Sequence, residues 1–303
     1  MRQLSSHAFA FALATLGLAA GADIAMADGR PVPPSNPVKF GVYDPAGDFQ
    51  NDSTPSMEHL FLPWEDIDLS TLAAADAYAR ARGRTVLITV EPWSWDQSKR
   101  VGSATLLDGI LSGKYDGNIA ALCTEIGKMQ AQTTIRWAQE MEDDSTDRFT
   151  WAGWSPADYI AAYRRVVDIC RPLAPAARYM WSPKGLPKLT DYYPGDDVVD
   201  EIGLSVFGLQ AYDNGEFGHD RTFSEILKPG YDLVLPYNKP IYVAEVGYVG
   251  NAQYVQNWAQ TVLVNDPQFS DLVGVLYFND KEVAPWPKDY GLPNWKVTDN
   301  TLP

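Results

Sequence analysis

Two glutamates close apolar, strand-like runs in this chain. Glu140 ends Thr133-Thr134-Ile135-Arg136-Trp137-Ala138-Gln139, and Glu245 ends Lys239-Pro240-Ile241-Tyr242-Val243-Ala244. An acid at the end of so apolar a run is hard to place in a core, which points to a strand-end site. Alternation along the first run puts Arg136, Ala138 and Glu140 on one face. A guanidinium on an interior face is costly unless a carboxylate meets it, and Glu245 is the expected partner; the competing arrangement is a structural Arg136–Glu140 pair. Two such carboxylates have the makings of glycosidic bond cleavage: one protonates the leaving oxygen, the other stabilises positive charge at the anomeric carbon. A separation of about 5 to 5.5 Å gives retention through a covalent glycosyl-enzyme, and about 6.5 to 9.5 Å gives inversion. Ionised Glu245 is expected to raise the Glu140 carboxyl by like-charge repulsion and keep it protonated. A third acid, Glu91, precedes Pro92-Trp93 and reads either as a contact to a sugar hydroxyl or as a structural acid.

These residues need a scaffold that brings several strand ends together. Candidate strands are Val38–Tyr43, Glu58–Leu62, Arg84–Val90, Thr133–Gln139, Arg178–Ser182, Asp200–Phe207, Pro240–Ala244 and Leu272–Phe278, eight in all. Helices fall between them. Ser70 is placed to cap one that stops at Gly83, and Asp116 one with Ile119, Leu122, Ile126 and Met129 on a single face. Ser155-Pro156-Ala157-Asp158 opens a third that ends near Arg171-Pro172, and Asn251 a fourth through Trp258 and Val262. Eight alternating units predict an α/β fold of the (β/α)8 TIM-barrel type as a single catalytic domain over 38–303. The alternative, a doubly wound open sheet, usually carries a Gly-rich turn after its first strand, and here that turn reads Tyr43-Asp44-Pro45-Ala46-Gly47. In a barrel of this kind reacting groups stand at the C-terminal strand ends, where Glu91, Glu140 and Glu245 fall after strands three, four and seven.

Residues 1–27 read as a secretory signal: Arg2, an apolar run from Ala8 to Ala20, and Ala25-Met26-Ala27 before Asp28. The run is shorter than the roughly 20 residues that span a bilayer. A secreted or periplasmic protein with no membrane association after cleavage, and a monomer, is therefore expected. Residues 28–37 form a Pro-rich lead. The formal net charge of −15 disfavours nucleic acid and anionic membranes as partners. Ten Trp residues suit a polysaccharide partner, because indoles stack on sugar rings, although core packing competes for them. Candidate platforms near strand ends are Trp93, Trp95, Trp151, Trp154, Trp181 and Tyr277. Cys123 and Cys170 either pair or stay as buried thiols. Only His59 and His219 follow the signal, and no zinc-protease, phosphate-loop or Gly-x-Ser-x-Gly motif is present, so neither metal nor cofactor is expected. The acid cluster Glu142-Asp143-Asp144 reads as a solvated loop.

Arg136-Trp137-Ala138-Gln139-Glu140-Met141 followed by Trp151-Ala152-Gly153-Trp154 resembles the acid/base region of glycoside hydrolase family 26, one of the retaining β/α-barrel glycosidases. Similarity continues in order through Tyr179 to Pro183, Tyr192 to Asp197, Val199 to Gly203 and Lys239 to Gly247. The resemblance implies Glu140 as acid/base, Glu245 as nucleophile and a retaining mechanism. The family commonly has His where Gln139 stands and often Tyr where Phe207 stands, which would leave Arg136 and Tyr212 to hold Glu245. With Gln139 present, an endo-acting hydrolase of β-1,4 or mixed-linkage glucan is expected ahead of one acting on β-mannan. Two other readings share the scaffold: an inactive carbohydrate-binding barrel, and a transglycosylase or trimming enzyme in exopolysaccharide production.

Overall fold

A computed structural model describes residues 28–145 and 148–302; the expected signal at 1–27 lies outside the described residues. Eight parallel strands close on themselves: β1 (Lys39–Tyr43), β2 (Met57–Glu65), β3 (Thr85–Ser94), β4 (Thr133–Trp137), β5 (Arg178–Trp181), β6 (Glu201–Leu209), β7 (Ile241–Asn251) and β8 (Leu272–Phe278). Each pairs with its neighbour in chain order, β8 returns to β1, and a two-residue β9 (Thr301–Leu302) adds to the far end of β7. The closed (β/α)8 barrel replaces the open-sheet alternative.

Around it run α1 (Thr71–Ala81), α2 (Ser103–Leu111), α3 (Asp116–Ile126), α4 (Pro156–Leu173), α5 (Gln210–Phe217), α6 (Phe223–Val234) and α7 (Ala252–Thr261). The Ser155 hydroxyl accepts from the Asp158 amide and the Asn251 side chain from the Tyr254 amide, so both caps form as the residue types dictate. Two expected caps do not. Ser70 turns its hydroxyl to Asp68, and Asp116 sits inside α3 with its carboxylate held by Arg165 at 2.6 and 2.8 Å. The sequence reading passed over α6, although Thr222 and Glu225 form a full capping box; Pro229 within the helix obscured it.

The barrel interior is layered. Met57, Leu87, Met180, Tyr242, Ala244 and Leu276 fill the middle, with Glu201 and Thr134 below. Outward positions pack under the helices, where Trp137 lies among Trp64, Tyr159 and Tyr163. Cys123 on α3 and Cys170 on α4 are joined by a disulfide, with Cα atoms 5.2 Å apart. That resolves the pair left open by the sequence.

Candidate active site

Above the middle layer the interior turns polar. Arg136 points inward from β4, fully buried, and donates from Nη1 to Glu245 Oε1 at 2.6 Å and to Thr89 Oγ1 at 3.1 Å, and from Nε to Ser182 Oγ at 2.7 Å. The expected pairing across the barrel is therefore present. Thr89 also meets His59 Nε2 at 2.7 Å. Burial and the neighbouring Arg136 charge push the His59 imidazole well below its ordinary value, so it is neutral in this network.

Neither glutamate reaches the site by simple strand alternation. Ala244 faces the interior, so unbroken pleating would turn Glu245 outward. The pairing shows why it does not. Leu204 pairs with Val243 but Ser205 pairs with Glu245, so Ala244 is an extra residue that re-aims Glu245 inward. On the β8 side the register also slips, between Val243 and Val246. Strand β4 stops at Trp137, two residues short of the expected end, and the chain then takes left-handed conformations at Ala138 (φ 48°) and Glu140 (φ 56°). Such φ values are costly for residues with a Cβ and occur where surrounding structure enforces them. Here the Glu140 amide is held by the Ser182 carbonyl at 2.8 Å and the Ala138 amide by the Val90 carbonyl at 3.3 Å. Gly247 lies within β7, where a Cβ would come 2.9 Å from Trp295 and 3.0 Å from Phe207.

Burial pushes the Glu245 carboxyl above its ordinary value, the guanidiniums of Arg136 and Arg148 pull against that, and the charge of Glu140 adds to the rise. Gln139 Nε2 donates to Glu91 Oε1 at 3.1 Å, while Gln139 Oε1 is buried with no partner among the described residues. Burial raises Glu91 to about 7, opposed by the Gln139 contact and reinforced by the charge of Glu245. Glu91 and Gln139 thus share one network beside the two glutamates. Arg148 binds Glu282 at 2.9 Å, and Trp295 Nε1 donates to the same carboxylate at 3.1 Å. Because β4 and β8 are diametrically opposed in the barrel, this pair bridges the loops that follow them, above the site.

The expected sugar platforms divide by burial. Trp151, Trp181 and Tyr277 have no exposed surface and Trp154 only 5%; their polar atoms are used or buried in the core, as with Trp151 Nε1 to the Gln139 carbonyl and Tyr277 OH to the Trp295 carbonyl. These four offer no face to a ligand. Trp93 is half-buried, with Arg100 over its ring at 4.0 Å, and Trp95 is 70% exposed. Tyr212 makes no bond to Glu245 and lines a neighbouring cavity instead. Sequence reading missed an inward-facing aromatic wall beside the glutamates: Tyr43, His59, Phe61 and Phe278, with ring centroids 4.4 to 5.1 Å apart for His59–Phe61, Tyr43–Phe61 and Tyr43–Phe278. Tyr43 is pushed up to about 12 by burial and by the charges of Asp280, Glu91 and Glu245. The acid cluster is also not solvated throughout. Glu142 is buried and accepts from the amides of Gly185 and Leu186, Asp143 is buried against Lys184 at 2.5 Å, and only Asp144 is exposed.

Among the described residues no group of three or more His, Cys, Asp or Glu is placed to hold a metal ion. No helix among them is long and apolar enough to cross a membrane.

No family model matches the chain. It is similar to a β-1,3-xylanase from Alcaligenes sp., 26% identical over 146 residues that cover 46% of this chain and 28% of the relative. The matched part is thus under a third of that relative's length. Among solved structures, it resembles a modular endo-β-1,4-mannanase from Cellulomonas fimi, described among glycoside hydrolase family 26 mannanases, with TM-score 0.63, 18% identity and coverage of 84% of this chain and 68% of that one. The catalytic domain of a family 26 endo-β-1,4-mannanase from Bacillus sp. JAMB-750 is similar with TM-score 0.56 and 17% identity over 80% of this chain and 77% of that one. At these identities the likeness is one of fold.

Proposed function

We propose that this protein is an exported glycoside hydrolase of the family 26 type that cleaves within a β-linked polysaccharide with retention of configuration, Glu140 acting as acid/base and Glu245 as nucleophile. The observation that carries this reading is the convergence of the two glutamates, from the turn after β4 and from β7, on the same end of the barrel, with Glu245 held by Arg136 at 2.6 Å. Arg136 keeps Glu245 ionised against the pull of burial and fixes the direction of its free oxygen. Glu140, on a left-handed turn at the cavity edge, gives its proton to the departing oxygen and later takes one from water. Gln139 and Glu91 contact sugar hydroxyls, and the Tyr43–Phe61–Phe278 wall packs on the ring bound at Glu245.

Gln139 and Phe207 favour β-1,4 or mixed-linkage glucan over mannan, and the β-1,3-xylanase likeness adds xylan to the candidates. Purified protein incubated with glucan, mannan, β-1,3-xylan, β-1,4-xylan and bacterial exopolysaccharides is expected to release oligosaccharides from one of them. Glu140→Gln and Glu245→Gln are each expected to lower that rate by about 10²-fold or more. Hydrolysis unchanged by either substitution would remove the mechanism.

A further inference from the structure

A cavity of about 660 Å³ opens beside Glu140, bounded by β6, α5, α6 and the loops after β4, β5 and β8. With Glu140 as acid/base it is the leaving-group side of the cleft, because that residue stands at the leaving oxygen. Its walls carry the chemistry of sugar binding. Helix α5 and the loop after β8 bring an aromatic cluster to it, in which the Tyr212 ring meets Trp286 at 5.3 Å and Phe217 at 6.0 Å, edge to face. Tyr212 and Trp286 are partly buried, and Phe217 is 49% exposed. Fixed polar groups line the same space: Arg148, Lys184 and Arg221 are each tied to one carboxylate, Glu282, Asp143 and Asp213, at 2.9, 2.5 and 2.8 Å. Each cation carries more N–H donors than one ion pair uses. Ser205 Oγ is buried there with no partner among the described residues.

Gripping the departing glycan does little for hydrolysis, since contacts made equally before and during bond cleavage leave kcat unchanged. They matter after it. Once the glycosyl group sits on Glu245, whatever fills this cavity competes with water for the anomeric carbon. A sugar seated on the aromatic cluster holds a hydroxyl where the leaving oxygen had been, and a group so oriented acts at an effective concentration of about 10⁵ M or more, above that of bulk water.

We propose that the cavity is an acceptor site for a second glycan chain, with Tyr212, Trp286 and Phe217 as its stacking surface, so that the protein transfers the glycosyl group to a sugar hydroxyl in preference to water. In that step the bond from the anomeric carbon to the Glu245 carboxylate breaks and the acceptor oxygen bonds to the same carbon. The acceptor proton passes to Glu140. The product is a longer chain with a β linkage, and Glu245 is freed as a carboxylate. This rests on Glu140 and Glu245 acting as proposed above.

The test gives each polysaccharide of the panel to the full chain together with oligosaccharides of the same glycan that carry a fluorescent tag at the reducing end. Tagged products longer than the added acceptor are expected, and the ratio of transfer to hydrolysis is expected to rise with acceptor concentration. Trp286→Ala is expected to lower that ratio about fivefold or more, through loss of the stacking face, and Trp286→Phe to restore much of it. Phe217→Ala, at an exposed position, is expected to lower it as well. Cleavage of the polysaccharide with no extension of the tagged acceptor would overturn the proposal and leave the hydrolase reading standing. Extension at a ratio that folded Trp286→Ala and Phe217→Ala variants both retain would also overturn it. Neither cleavage nor extension on any glycan would remove both readings.

Discussion

Arg136 carries three of the contacts that shape the site, and its worth lies in what it does to Glu245. A buried carboxylate without a cation takes up a proton. Arg136→Met is therefore expected to lower kcat by about 10- to 100-fold, the range that loss of an orienting partner costs, and to move the acid limb of the pH–rate profile upward. The sign follows from the role. As the proposed nucleophile Glu245 works ionised, so activity is expected to be lost as pH falls through its raised value, and removing Arg136 raises that value further. Arg136→Lys keeps the charge but not the three-way fork, and is expected to restore the pH limb more than kcat. Glu91 gives a second pH signature, in stability. Its carboxyl is raised from 4.5 to about 7 in the folded chain, so the proton it holds stabilises the fold fully below 4.5, and that contribution is lost as pH rises through 7. Urea denaturation across pH 4 to 8 is expected to show less decline for Glu91→Gln than for the unmodified protein; parallel curves would contradict the assignment. Both glutamates and Arg136 were legible in the sequence because a charge that closes an apolar run is too costly to bury without a partner or a task. Trp181 and Tyr277 were misread for want of one step. Ser182 and Leu276 face inward, so pleating turns their neighbours Trp181 and Tyr277 outward, and the same rule applied to β1, β2 and β8 would have found Tyr43, Phe61 and Phe278.

At the scale of elements, the aim of each glutamate comes from irregularity that pleating alone does not foretell. The extra residue at Ala244 and the left-handed backbone at Ala138 and Glu140 depend on what neighbouring strands pair with, a property of the assembled barrel. Neither has a marker in the local residue types, and Ala and Glu are poor ones for positive φ. Helix ends fared better where a cap is a local hydrogen bond, as at Ser155 and Asn251. They fared worse where a tertiary partner wins, as Arg165 does with Asp116. The disulfide between α3 and α4 closes a loop of 47 residues and lies away from the site. Cys170→Ser is expected to cost about 2–4 kcal/mol in chemical denaturation with kcat unchanged. A loss of activity at a temperature where the variant stays folded would show that the tie reaches the glutamates.

At the scale of the whole molecule, the count of alternating runs gave the closed barrel, because eight parallel units in this order leave no unpaired edge. The cavity beside Glu140 had no such sign. Its lining is drawn from the loops after β4, β5 and β8 together with β6, α5 and α6, and such convergence is not written in any one segment. In the proposed mechanism the barrel delivers two strand ends to one reaction from opposite sides of a sugar, and the stereochemistry of chemical rescue reads that out. With an aryl glycoside of the glycan that the panel identifies and sodium azide as external nucleophile, Glu245→Gly is expected to yield the α-glycosyl azide, since azide replaces the missing carboxylate on the face opposite the leaving group. Glu140→Gly is expected to yield the β-glycosyl azide, since the glycosyl-enzyme still forms and azide intercepts it. The reversed pair of anomers, or no azide product from either variant, would contradict the assignment of Glu140 and Glu245.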